Sequence, residues 1–589
     1  MTIRRDWLYL GLFALLSPAF LLAGDWTQWG GSDCRNMVSS EKGFPETFET
    51  GEGRNPASGS SGLKNVKWVA KLGSESYGNP TVSGGRIFIG TNNGSPRDPK
   101  YAGDRCVVMC FEEATGRFLW QLNVPKLPQR GTFNGDCGKL GICSSPTVDG
   151  DRVYVVTNRC DVLCLSTGGL AAGNRGPFTD EARYAMGMDD LSEKIKLAFQ
   201  RGLGEGAQPK TRPATQPGST RPSARPGATG TPPVEEAGPK GAEGAARREV
   251  SGEASKVVMD GVKLGLTIPG PPIKLGPADA DIIWRYNMTG ELDVWVQDAS
   301  DCSTLIHGEY LYVSTSNGVD KSHRNVPSPD APCLIVLNKR TGKLVAVEDA
   351  GMSRRILHGT WSSPSLGQVG SKTLVFFGGP DGCCYAFDAE SVPGVGGKPG
   401  VLRKVWSYDC VPPGSREVRY PAPRSASEII ATPVFHKNRV YVAVGQDPRH
   451  GKGIGLLSCI DATGTGDISR TGRIWSYDKI NRTLSTVSIA DGLLYIGDFA
   501  GTVHCLDAET GQVYWTHDTN APIWGSTFVA DGKVYIGTGK GELWVYAAGK
   551  ELKILSTIKL GSPMYNTPIA ANGVLYVASN THLYAVAGR

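Results

Sequence analysis

The 589-residue chain has no excess of charge of one sign: 62 Lys and Arg stand against 57 Asp and Glu, a formal net charge of +5. Nothing in that balance calls for a polyanionic partner, so nucleic acid is set aside. Long apolar runs are also scarce. Only the stretch from Trp7 to Ala23 approaches a membrane span, which excludes a polytopic membrane protein. A Gly-rich phosphate loop, a zinc signature, a nucleophile elbow and a Cys-x-x-Cys-His haem motif are all missing. Glycine, by contrast, is abundant: 77 residues, with 38 Pro, 20 Tyr, 13 Trp and 16 Phe. This mixture suits many short strands joined by tight turns and argues against a helical bundle.

Arg4 and Arg5 precede the apolar run, and Asp25 begins a polar, globular-looking sequence. That is the order of an export signal, so the expected location is a bacterial periplasm or cell envelope. Residues 1–24 are read as signal or anchor and 25–65 as an N-terminal extension. Arg4-Arg5 suits an ordinary signal and, loosely, a twin-arginine one. Leu21 and Leu22 spoil the cleavage site at Ala23-Gly24, which leaves an uncleaved membrane anchor as the alternative.

One unit recurs eight times. Its clearest copy holds Ala490-Asp491-Gly492, Leu494-Tyr495-Ile496-Gly497, Gly501 to Ala508, Thr510-Gly511 and Trp515, and the next follows with Ala530-Asp531-Gly532 and Val534-Tyr535-Ile536-Gly537. Asp-Gly between alternating apolar runs signals a hairpin whose two turn residues both take φ > 0. Each unit reads as four strands, A to D. Strand D carries a Trp in most copies: Trp68, Trp120, Trp284, Trp406, Trp475 and Trp515. A D-type strand at Val66–Leu72 precedes the first A strand, whereas the last unit stops after its C strand, Leu583 to Val586. Joining these ends closes a ring and removes its exposed edges. The expected fold is therefore all-β: an eight-bladed β-propeller of four-stranded blades over 66–589, closed by pairing the N-terminal strand with the C-terminal blade.

The same alignment places Cys110, Cys164, Cys459 and Cys505 in one slot of strand C, where Ala386 and Ala585 stand in other blades. A slot wanting a small apolar side chain makes these cysteines, like the tryptophans, structural. Cys106/Cys110 and Cys160/Cys164 have the spacing of metal ligands, but strand residues i and i+4 lie about 13 Å apart and cannot share an ion. Cys137 and Cys143, in one Gly-rich loop, form the best candidate disulfide. Residues 168–280 interrupt blade two. A capping box at Asp190-Leu191-Ser192-Glu193 predicts a helix over about 190–201 with Leu191, Ile195 and Ala198 on one face. Residues 204–255, rich in Pro, Gly and Arg, are expected to be disordered, a spacer or an arm toward an envelope polymer.

Loop lengths point to one face. The A–B turns are tight, whereas the B–C loops Thr91–Arg105, Ser314–Cys333 and Val444–Gly455 and the D–A loops Pro125–Cys143, Asp349–Trp361 and Asp409–Ala431 are long. All of these belong to one rim, with the insertion expected on the opposite side. That rim carries Asp320, His323, His358, Trp361, Asp447, His450, Arg482 and Trp524 as candidate ligand-binding residues around the channel mouth. The competing reading is that they only tie long loops together; no catalytic residue or metal ligand is assigned.

The pattern Leu506-Asp507-Ala508-Glu509-Thr510-Gly511…Trp515, repeated as Ile460-Asp461-Ala462-Thr463-Gly464, resembles the repeat of pyrroloquinoline-quinone (PQQ) propellers. The opening Asp25-Trp26-Thr27-Gln28-Trp29-Gly30-Gly31 looks like the start of exported PQQ-like repeat proteins of the BamB type. For dehydrogenases of this family the resemblance implies PQQ on a calcium ion held by acidic and amide side chains, a general-base Asp, a Trp under the quinone and a disulfide between adjacent cysteines. Cys383-Cys384 is the only adjacent pair, and the other motifs are not recognisable. The expected function is thus a non-catalytic envelope platform that binds a protein or a small ligand on the loop-rich face. The alternatives are a PQQ- and calcium-dependent dehydrogenase of alcohols or sugars and a polysaccharide-binding propeller using rim aromatics.

Overall fold

Two-residue turns set the strand register throughout. In the turns Asp491-Gly492 and Asp531-Gly532 both residues have positive φ, from 50° to 78°, which matches the twist of the flanking strands. In blade two the turn is Gly150-Asp151: Asp149 still belongs to strand A, and only Gly150 takes positive φ.

The computed structural model describes residues 24–587 apart from 52–61, 128, 130–131, 134, 136–137, 188–190, 199–257, 260–261, 264–272, 299, 391–393, 395, 397, 416–426 and 451–452. The export signal, the segment expected to be disordered and Cys137 lie outside the described residues. The strands form an eight-bladed propeller, with blades one to seven at 81–125, 147–287, 305–348, 365–409, 434–477, 488–518 and 528–559. Blade eight joins 569–586 to Val66–Lys71, whose register runs antiparallel from His582↔Lys71 through Ala585↔Trp68. Three blades gain a fifth, parallel strand: Gly400–Leu402 outside blade three, Gly466–Asp467 outside blade four and Val38–Ser39 inside blade seven.

The small slot of strand C sits directly across from the strand D tryptophan: Cys110↔Trp120, Cys164↔Trp284, Ala386↔Trp406, Cys459↔Trp475 and Cys505↔Trp515. A large ring over a small partner fills the layer between sheets at crystal-like density. Each indole N–H then donates to a carbonyl at the C–D turn of the next blade: Trp68 to Glu113, Trp120 to Thr167, Trp284 to Lys339, Trp406 to Ala462, Trp475 to Ala508 and Trp515 to Gly549, at 2.9–3.2 Å. The glycine of the Thr-Gly turn follows from the same contact. Gly511 has φ +75°, and a Cβ there would lie 2.7 Å from the Trp475 ring.

The N-terminal extension closes the channel. Residues 26–38 run across its lower mouth and bond to the innermost strands of successive blades. Trp26 exchanges backbone bonds with Val82 of blade one, Val148 of blade two donates to Thr27, Leu366 of blade four to Asp33, Phe435 of blade five to Cys34 and Val529 of blade seven to Met37. The Asn36 side chain bonds the backbone of Ile489 in blade six. Arg35, fully buried, donates to the carbonyls of Thr304, Pro364 and Trp29 at 2.8, 3.0 and 2.5 Å. Burial lowers its guanidinium to about 10, with Asp33 opposing the shift.

The described part of the insertion before residue 199 departs from expectation in its placement. Residues 193–198 are helical, and the Ser192 hydroxyl accepts the Ile195 N–H at 3.4 Å; Asp190 and 199–201 of the expected helix lie outside the described residues. Leu191, Ile195 and Ala198 are buried with Leu127, Phe133 and Trp295 of the D–A loops. Tyr184 donates to Asp161 at 3.0 Å, and Arg159 binds the Tyr184 carbonyl. An apolar stripe must be covered, and this one is covered by the D–A loops of the rim, so this segment climbs the edge of the ring instead of staying on the opposite face.

Candidate functional site

In all eight blades the chain enters strand A through the same extended stretch, and two of its positions face the channel because alternate residues share a side. Two residues before each strand A stand Asn79, Ser145, Ser303, Ser363, Thr432, Thr486, Ser526 and Thr567. Seven of these positions join their neighbours by a backbone N–H donated to the next side-chain oxygen. Asn79 bonds Ser145, Ser145 bonds Ser303 and Ser303 bonds Ser363; Thr432 bonds Thr486, Thr486 bonds Ser526, Ser526 bonds Thr567, and Thr567 returns to Asn79. Where blades four and five meet, the Thr432 hydroxyl accepts the Trp29 indole N–H at 3.1 Å. The ring of polar groups therefore holds Trp29 of the N-terminal segment as a floor.

Four residues before each strand A stand Tyr77, Cys143, Asp301, Trp361, Ile430, Leu484, Trp524 and Tyr565, and all eight line a cavity of about 320 Å³ above that floor. The result is a blind well that opens on the loop-rich rim. Its wall is divided. Trp524, Tyr565 and Tyr77 form an aromatic arc, with ring centroids 4.9 Å apart for Trp524–Tyr565 and 5.1 Å for the stacked Tyr77–Tyr565 pair. Facing it are Asp301, Asp298 and Asp447, with Arg449 among them. Arg449 binds Asp447 at 2.5–3.1 Å and reaches Asp298 at 3.2 Å. Burial acts to raise the Asp447 carboxyl, but the hydrogen bonds and charge of Arg449 outweigh it and hold the group below its usual range.

Burial lifts the Asp301 carboxyl from 3.8 to about 6, the hydrogen bond from Cys143 opposing the shift and the charges of Asp298 and Asp447 adding to it. A folded pKa above the unfolded one favours the neutral acid, so this group contributes stability below about pH 4 that is lost as pH rises through 6. Asp301→Asn is accordingly expected to melt several degrees above the parent at about pH 8 and with it at about pH 4, as scanning calorimetry would read.

Behind the aspartates lies a second group. Blade four turns tightly at Pro380-Asp381-Gly382, so the long B–C loops of blades three and five meet above it. They bring His323 and His450 against His358 of the intervening D–A loop, with ring centroids 4.7 Å apart for His323–His358, 4.8 Å for His358–His450 and 5.3 Å for His323–His450. His358 and His450 are buried and His323 is half-buried. Burial keeps all three imidazoles neutral: it drives His358 well below the usual range, takes His450 to about 4 and lowers His323. The Gln297 amide nitrogen lies 3.2 and 3.0 Å from Nδ1 and Nε2 of His358, and the buried Glu428 carboxylate oxygen lies 3.9 Å from Nδ1. The Trp361 ring packs on His358 at 5.0 Å.

The structure thus gathers His323, His358, Trp361, Asp447 and His450 at one place and sets Trp524 across the well. Asp320 and Arg482 are placed otherwise. Asp320 accepts from Ser322 and Asn325 within its own loop, and the Arg482 Nε donates to Ser427. Sequence reasoning missed Trp29, Tyr77, Asp298, Asp301, Arg449 and Tyr565. For Tyr77, Asp301 and Tyr565 a signal existed, since they share the repeat position of Trp361 and Trp524. Trp29 had none, because nothing local indicates that the N-terminal segment reaches the channel.

A family model described as outer membrane protein assembly factor BamB matches residues 412–517 and again 453–551, across blades five, six and most of seven. The quinohemoprotein alcohol dehydrogenase ADHIIG from Pseudomonas putida HK5 superposes over 96% of this chain and 81% of its own, with a TM-score of 0.51 at 10% identity. The fold is thus that of a β-propeller, with PQQ-like repeats in the blades that the family model matches. BamB from Moraxella catarrhalis aligns with 89% of this chain and 97% of itself at 12% identity and a TM-score of 0.46. The computationally designed Ika8 protein aligns with 88% of it and 99% of itself at 10% identity and a TM-score of 0.41. No curated protein matches the chain. At such identities the likeness is one of fold.

PQQ carries three carboxylates, and among the described lining residues the well offers them one guanidinium, Arg449, already engaged by Asp298 and Asp447. Cys383 and Cys384 stand on strand C of blade four, and neither lines the well.

Proposed function

We propose that this propeller is a non-catalytic binding platform of the bacterial cell envelope, and that the blind well is its point of attachment. The observation that carries this reading is the divided wall over a sealed floor: an aromatic arc facing carboxylates, open only to the rim. An aromatic surface opposite negative charge suits a group with an apolar body and a cationic head, such as a lysine or arginine side chain offered by a partner protein. The N-terminal run from Trp7 to Ala23 supports export. Polysaccharide binding, which also uses aromatic faces, is the second reading.

The test is retention of peptides carrying Lys or Arg between apolar residues on the immobilised full chain. Trp524→Ala is expected to weaken retention about tenfold, the loss of one aromatic contact, while leaving the melting temperature near that of the parent. Retention that ignores the substitution removes the well from the interaction. Selective retention on a glycan array moves the function to polysaccharide binding. Quinone absorbance and alcohol- or sugar-dependent dye reduction after adding PQQ and calcium would overturn the non-catalytic reading.

A further inference from the structure

We propose that His323, His358 and His450 form a binding site for one divalent transition-metal ion of the zinc class, set in the rim behind the well. The donor atoms of the three imidazoles all lie within 4.8 Å of one another. A zinc ion held at about 2.0–2.1 Å by three nitrogens needs them roughly 3.4 Å apart, so the rings close on the ion by shifts of about an ångström. Packing alone does not explain the arrangement. Loops need shape to stack, and leucine or phenylalanine supplies it without burying polar nitrogens; three imidazoles with a nitrogen of each within 4.8 Å of the others present a donor set.

The surroundings are those of a ligand cluster. His358, at the centre, has the buried Glu428 carboxyl 3.9 Å from its Nδ1, an acceptor of the kind that orients a ligating imidazole. The Gln297 amide, its oxygen accepting the Val319 N–H at 2.9 Å, can only donate to a ring lone pair of His358, a bond that the ion displaces. His323 is held at φ +56°, with its N–H donated to the Asp320 carbonyl at 2.8 Å. The Asp320 side chain, bonded to Ser322 and Asn325, fixes that turn. The carboxylates of Asp298 and Asp447 come within 4.8 Å of the His358 donor atom and offset the charge of an ion beside them. Imidazole donors favour zinc, copper, nickel or iron over calcium or magnesium, and three of them leave a coordination position open. His323, the most exposed of the three, marks the side from which the ion enters.

The site is independent of the reading of the well, so Trp524→Ala should leave metal uptake unchanged. The experiment uses the full chain stripped with chelator, titrated with Zn2+ by calorimetry and with Co2+ by visible absorption. One ion per chain and the strong visible bands of low-coordinate Co2+ are expected. Glu428→Gln should weaken Zn2+ binding about 10- to 100-fold, as loss of an outer partner does. His323→Ala and His450→Ala should weaken it further and abolish the Co2+ bands. The half-buried His323 makes the decisive variant, since its metal-free form should melt with the metal-free parent. No stoichiometric Zn2+ uptake, uptake that survives both histidine substitutions, or preference for Ca2+ would each overturn the proposal.

Discussion

Arg35→Ala is expected to lower the free energy of unfolding by roughly 3–4 kcal/mol, the range for removing a buried charged donor and leaving its acceptors unsatisfied. Three carbonyls from three parts of the chain, Trp29, Thr304 and Pro364, lose their donor at once. The replacement cannot refill the volume of a side chain with no exposed surface. The N-terminal segment has no core of its own, so its attachment to the inner strands should fail before the ring does. Limited proteolysis is then expected to cut within residues 24–50 of the variant while the parent resists. The well would lose its floor with Trp29, and Trp29 fluorescence should shift toward that of a solvated indole. An unchanged denaturation midpoint together with an intact segment would show that the plug is held by its backbone bonds alone.

The second large effect concerns the contact between blades. Trp406→Ala should cost about 3–5 kcal/mol, the range for deleting a fully buried aromatic side chain, because the ring has no exposed surface and packs on Phe376 with centroids 5.8 Å apart. Trp406→Phe separates the two components. It keeps most of the apolar volume and removes the N–H that bonds Ala462 at 3.0 Å, so it should cost less than the alanine variant, with about 1 kcal/mol from the hydrogen bond. Chemical denaturation of both variants reads the difference. Equal losses would assign the whole contribution to the hydrogen bond, and no loss in either would mean that this contact does not hold blades four and five together.

The ring, its closure and the Cys–Trp layer were legible because each rests on local repetition. A two-residue turn fixes which strands pair, period-two alternation fixes which face is buried, and the unmatched strand at each end leaves one way to complete the last blade. The convergence of His323, His358 and His450 was foreseen only as far as a shared rim. Their contact depends on the shortness of the blade-four loop between two long ones, a comparison that gains meaning once the blades stand side by side. The described part of the insertion before residue 199 lies elsewhere than expected. Chain connectivity puts the insertion's two ends on the lower face, whereas the path of this part is decided by where Leu191, Ile195 and Ala198 find apolar cover.

The amino-acid sequence by itself determined the number of blades, their register, the closing pair and the rim that carries the long loops, since hydrogen-bonded turns and side-chain alternation act over a few residues. Only the tertiary structure decided that residues 26–38 seal the channel, that eight equivalent positions become one wall, and that three histidines face each other behind it. Those outcomes join side chains up to hundreds of positions apart, and their energy comes from burial and bonding between segments that carry no local trace of one another.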